Sequence, residues 1–146
     1  MTKIKVATIN CENLFARYRF NNNANPENAI INGWLPEQNF QLIAQKRKNL
    51  TSLAIKETDA DVVALQEVEN LQVLRRFRND YLQGTRTYKY LFLSDGNDPR
   101  LIDVTILSKY PIEKMDTYIH EFNNEIRALT FSRDCLECDI KLSIIS

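Results

Sequence analysis

An amide and a carboxylate occupy corresponding places in this chain. Asn10 closes the run Ile4-Lys5-Val6-Ala7-Thr8-Ile9, and Glu67 closes Asp61-Val62-Val63-Ala64-Leu65-Gln66. Brought together, two oxygen donors of these kinds would suit a hard divalent cation. Both runs are short, β-branched and bounded by polar residues, which predicts strands. Residues 38–58 between them read as a helix, so the order is strand, helix, strand. Such a crossover makes the strands parallel and is right-handed in nearly all cases. Parallel strands end on one edge of the sheet, where ligands of α/β proteins tend to bind. If the strands are neighbours, ~5 Å separates their backbones, close enough for both side chains to serve one ion.

Spacing alone favours a plainer role for each residue. Asn10 would form an Asx turn, and Glu67 would be a solvent-exposed strand end. Against this, Val62 to Leu65 call for burial, and an unpartnered glutamate beside them is costly. Glu69 shares a face with Glu67 if the strand continues, but its better role, with Asn70, is to open the next helix at the positive end of the dipole. His120, the single histidine, stands between Ile119 and Glu121 and reads as a surface or edge residue. Arg75-Arg76-Phe77-Arg78 reads as the solvated face of a helix. Cys135 and Cys138 form a C-x-x-C, but residues three apart on a strand point to opposite faces, and zinc needs four ligands. With Cys11, they read as ordinary buried or half-buried thiols in a reducing compartment. No strand leads into a glycine-rich turn, which excludes a dinucleotide or P-loop site.

The frame that must hold these residues has 146 residues, enough for one domain with a sizeable core. Nineteen basic and nineteen acidic residues cancel, so no global field draws in a polyanion or an anionic membrane. No apolar stretch is long enough for a transmembrane helix, and the N-terminus lacks a signal peptide, so a cytoplasmic location is expected. An asparagine-rich loop spans residues 21–28, with Trp34 and Leu35 expected to pin its far end. In the first helix Ile43, Leu50, Leu53, Ala54 and Ile55 are expected inward, with Lys46, Arg47 and Lys48 outward. A second helix is predicted over 71–82, with Leu71, Leu74, Phe77, Tyr81 and Leu82 as its apolar side. Strands are predicted over 88–93, 102–107, 114–121, 126–131 and 136–145, separated by turn signals such as Asn123-Asn124. Strands in succession without helices point to antiparallel additions to the first βαβ unit, hence a mixed α/β fold. The last strand stays apolar to Ser146 with no polar tail, as a cut through a sheet would look.

Four stretches, in order, resemble the N-terminal part of the endonuclease/exonuclease/phosphatase superfamily, the DNase I-like hydrolases. They are Val6-Ala7-Thr8-Ile9-Asn10-Cys11-Glu12-Asn13-Leu14-Phe15, Asp61-Val62-Val63-Ala64-Leu65-Gln66-Glu67-Val68, Asp103-Val104-Thr105-Ile106-Leu107-Ser108-Lys109-Tyr110-Pro111-Ile112 and Phe131-Ser132-Arg133-Asp134-Cys135-Leu136-Glu137-Cys138-Asp139. The resemblance reverses the plainer reading of Asn10 and Glu67. It implies a divalent-metal-dependent phosphoester hydrolase using Mg2+, with Mn2+ as the alternative, and Glu67 and Asn10 as metal residues. Arg100 matches a position from which an arginine could reach the substrate, as its fork fits phosphate. The implied architecture is a DNase I-like four-layer α/β/β/α sandwich, of which residues 1–146 supply roughly the N-terminal half as a single, C-terminally truncated domain.

The family's later motifs are a histidine-bearing strand, an aspartate-x-asparagine strand end and a terminal aspartate-histidine pair, and this sequence holds none of them. No catalytic set is therefore assigned within the chain, and weak or absent activity is expected of it alone. Expected partners are a phosphoester substrate, nucleic acid among the candidates, and either the missing half or a second copy to cover an exposed inner face. The rival reading is a non-catalytic remnant or binding module that keeps the early part of the fold.

Overall fold

In the computed structural model, the described residues are 3–14, 18–20, 40–42, 45–98, 102–131 and 133–142. The expectations for the asparagine-rich loop, Trp34, Leu35, Ile43, Arg100 and the last residues of the final strand lie outside them. The molecule is mixed α/β. Its main sheet has the order β1-β4-β6-β5, from β1 (Val6–Leu14), β4 (Val62–Val68), β6 (Asp103–Ser108) and β5 (Tyr90–Ser94). As the strand-helix-strand order requires, β1 and β4 are parallel neighbours, with Asn10 beside Gln66. β6 runs antiparallel to both β4 and β5, so β1, β4 and β5 all finish at the rim where β6 begins.

Two helices cover one face. Ala7 and Val63 are register partners, as are Ile9 and Leu65, and Leu91 and Leu107. All six join a core with Ile55 of α1 (Gln45–Thr58) and Leu74 and Phe77 of α2 (Leu71–Tyr81). Strand side chains alternate, so Val6, Thr8, Ala64, Gln66 and Val104 fall on the opposite face. That face is half-covered: Val6 is 70% exposed, while Gln66 Nε2 donates to Thr8 Oγ1 at 2.9 Å across it. A two-stranded sheet of β7 (Ile112–Thr117) and β10 (Leu136–Ile140) lies near it, leaving a groove of about 250 Å³ between Ala64, Gln66, Val104 and Leu136.

The helix α2 agrees with its predicted span, and Asn70 caps it by accepting a hydrogen bond from Val73 N–H at 2.9 Å. By contrast, α1 corrects the sequence reading twice. It begins at Gln45, because Phe40–Leu42 forms β3 and pairs with β2 (Tyr18–Phe20). Its inward line is Lys48, Ser52 and Ile55, spaced four and three apart, while Leu50 and Leu53 are 59% and 51% exposed. Burial, aided by the charge of Arg76, pushes the Lys48 ammonium down from its usual range.

The later strands are shorter than predicted. Residues 126–131 contribute Ala128–Leu129 (β9), paired with Phe122–Asn123 (β8), around a turn in which Asn123 Oδ1 accepts from Glu125 N–H and Ile126 N–H. His120 lies exposed in the turn after β7, not within a strand. Among the described residues no helix is long and apolar enough to cross a membrane.

Candidate functional site

Glu67 owes its placement to a break in the strand. Its φ is +64°, in the left-handed region, which costs a residue other than glycine about 1 kcal/mol or more. The pairing of β4 shifts there: the β6 register jumps between Gln66 and Val68, and the β1 register between Asn10 and Leu14. Such a bulge re-aims a side chain and ends regular pairing. Glu67 is thereby held at the rim with its side chain only 13% exposed, so it is not the solvated strand end that spacing favoured.

What holds its carboxylate is Arg133, 66 residues away in sequence, which sequence reasoning did not single out. Arg133 Nη2 lies 3.2 Å from Glu67 Oε1, and its Nε lies 3.2 Å from Oδ2 of Asp98, whose side chain is 5% exposed. One guanidinium thus bridges two nearly buried carboxylates, the geometry to which its planar fork is suited. The next residue, Asp134, makes a second clamp. Its Oδ1 accepts from Tyr118 N–H at 2.8 Å and its Oδ2 accepts from Ser94 Oγ–H. Together Arg133 and Asp134 tie the ends of β4, β5 and β7 to the segment before β10. The sole hint in the sequence was a charged pair between Phe131 and Leu136, which names no partner.

Asn10 performs the plainer role. Its Oδ1 accepts from Glu12 N–H at 2.8 Å, an Asx turn, and Glu12 has a φ of +48°. Asn10 lines a concavity of about 280 Å³ with Cys11, Glu12, Arg47, Leu50 and Thr51, whose described walls do not include Glu67. Cys11, in the wall of that concavity, feels the charge of Glu67. Burial first, then the charge of Glu67, pushes its thiol up to about 12.

Other carboxylates share the rim. Asp103 opens β6 and accepts from Gly96 N–H at 2.8 Å; burial pushes its carboxyl upward against that hydrogen bond. Even so, among the described residues no group of three or more His, Cys, Asp or Glu side chains converges as a metal cage. Glu69 precedes the Asn70 cap and donates its backbone N–H to Leu14 O at 3.2 Å. The cysteines are free thiols, but Cys135 is exposed, so the expectation of burial fails for it. Arg78 is also misread as solvated: it is buried, donating through Nη1 to Tyr88 O at 3.4 Å.

Chemically, the rim offers a fixed carboxylate, an amide oxygen with one lone pair committed to Glu12, and a guanidinium that already neutralises the carboxylate. Comparison of the chain with protein families, with curated proteins and with solved structures finds no match to any of them.

Proposed function

We propose that the chain is the N-terminal portion of a DNase I-like α/β/β/α sandwich and serves divalent-metal-dependent phosphoester hydrolysis. The observation that carries this reading is Glu67, a nearly buried carboxylate kept at the end of a central strand by a backbone bulge, next to the parallel strand whose regular pairing breaks after Asn10. Left-handed backbone at a non-glycine residue clusters at functional sites. The half-covered sheet face supports the sandwich, because a second sheet would bury it. Oxygen donors fit magnesium, which binds through one or two carboxylates and keeps several waters. Glu67 and Asn10 would hold it, and the bound ion would supply charge neutralisation to a phosphoryl group. Arg133 would have to share Glu67 with the cation.

That sharing favours a second reading, a non-catalytic remnant or binding module in which the Glu67–Arg133–Asp98 bridge is purely structural. Magnesium separates the two. An ion that binds the folded state alone, at ten times its Kd, stabilises by about 1.4 kcal/mol, a rise of a few degrees in Tm. The hydrolase reading expects that rise in the wild-type chain and its loss in Glu67→Gln. It also expects manganese-dependent cleavage of bis(p-nitrophenyl) phosphate, by this chain or a longer form, to vanish in the same variant. An unmoved Tm and no cleavage in either form would establish the remnant.

A further inference from the structure

We infer that a cleft beside the outer edge of β5 binds a phosphate group carried on a flat apolar body, at a site distinct from the Glu67 rim. The cleft, about 430 Å³, lies between α2 and β7, with Arg75, Arg78 and Lys89 among its walls and Tyr90, Phe92 and Met115 as its apolar part. Its volume is within the usual range for small-molecule sites.

Charge sets it apart. The chain is neutral overall, and several of its basic groups have acidic partners: Arg76 with Asp80, Arg133 with Glu67 and Asp98, Lys109 with Asp59 and Asp61. The described walls of this cleft include no carboxylate. Arg78, 9% exposed, donates to neutral acceptors, Tyr88 O and Asn79 Oδ1. Lys89 Nζ stands 5.6 Å from the centre of the Tyr90 ring, in cation–π range. Arg75 and Arg78 lie one turn apart on α2, where like charges repel; burial and Arg75 together push the Arg78 guanidinium down. One fixed guanidinium, Arg78, with the exposed Arg75 and Lys89 on the same walls, matches the oxygens and double charge of a phosphate monoester better than one carboxylate. The half-buried rings of Tyr90 and Phe92 and the exposed Met115 thioether supply a surface for an apolar or aromatic remainder.

The register keeps this site apart from the rim. Tyr90 and Val62 both pair with Ser108, and Glu67 lies five residues further along β4, ~16 Å at the usual strand rise.

Phenyl phosphate is the probe, titrated into the full chain and followed by backbone amide NMR shifts. Saturable shifts centred on Lys89, Tyr90 and Phe92 are expected, with inorganic phosphate and benzoate each about tenfold weaker. The exposed double variant Arg75→Gln/Lys89→Gln should lose at least about tenfold in affinity while keeping its Tm. Absence of saturation by ~10 mM, equal affinity in the double variant, equally tight benzoate, or shifts centred on Glu67 and Arg133 would each overturn the assignment.

Discussion

The two faces of the main sheet are built to different standards. On the helix side Val63, Leu65 and Leu107 have no exposed surface and meet Ile55, Leu74 and Phe77. On the other side Thr8 and Val6 are exposed, and Ala64, Gln66 and Val104 are half-buried. Both faces belong to the same strands, so strand propensity is not the difference. Cover is. The helix face supplies most of the hydrophobic stabilisation, while the other is covered only in part: Val62, Ile106 and Ser108 are buried there, but toward β1 it carries a polar Gln66–Thr8 contact in place of packing.

Mutation can test how far apart the faces stand. Phe77→Ala, on the covered side, should cost about 3–5 kcal/mol by urea denaturation, whereas Val6→Ala, at 70% exposure, should stay within about 0.5 kcal/mol. Similar losses at both positions would mean that the open face is buried in solution, by a second copy or another partner. At the rim between the faces, Arg133→Gln leaves the Glu67 and Asp98 carboxylates without their shared cation. A loss of roughly 1–3 kcal/mol is expected, and adding Glu67→Gln should recover part of it. If the second change brings no recovery, the bridge is not what Arg133 contributes.

The smallest effect concerns the thiols. Cys11 on the covered face should resist a thiol reagent at pH 8 that labels exposed Cys135 rapidly, until the protein is unfolded. Because its folded pKa is raised from 9.0 to about 12, its contribution to stability is complete below pH 9 and declines as pH climbs toward 12. Cys11→Ala should flatten that part of the pH profile.

Local patterns were legible wherever the signals agreed. For α2, apolar period, cap and span all pointed one way, and Asn70 does cap it. The parallel β1–β4 pair followed from the order of elements and a handedness rule. In α1 hydropathy misled: Leu50 and Leu53 face out and Lys48 lies in, because what a helix buries depends on its neighbours as much as on its own leucines. Its first turns were misassigned since Phe40–Leu42 pairs with Tyr18–Phe20, a partner that no local window contains. At the candidate site the sequence indicated Glu67 and Asn10. It was silent on the bulge that aims the first and on the guanidinium that holds it, because both arise from contacts across the chain.

That bulge has a mechanical side. β4 lies between two neighbours, and its pairing with each shifts at Glu67: against β6 the extra residue is Glu67 itself, and against β1 the extra residues lie within 11–13 of β1. Sliding β4 by one residue would turn Val63 and Leu65 to solvent, and it would also force two flanking strands to accommodate a misplaced notch. The kink therefore works as a detent: it lets the central strand seat at one position, so the ordering of the core and the aim of a single carboxylate are decided together.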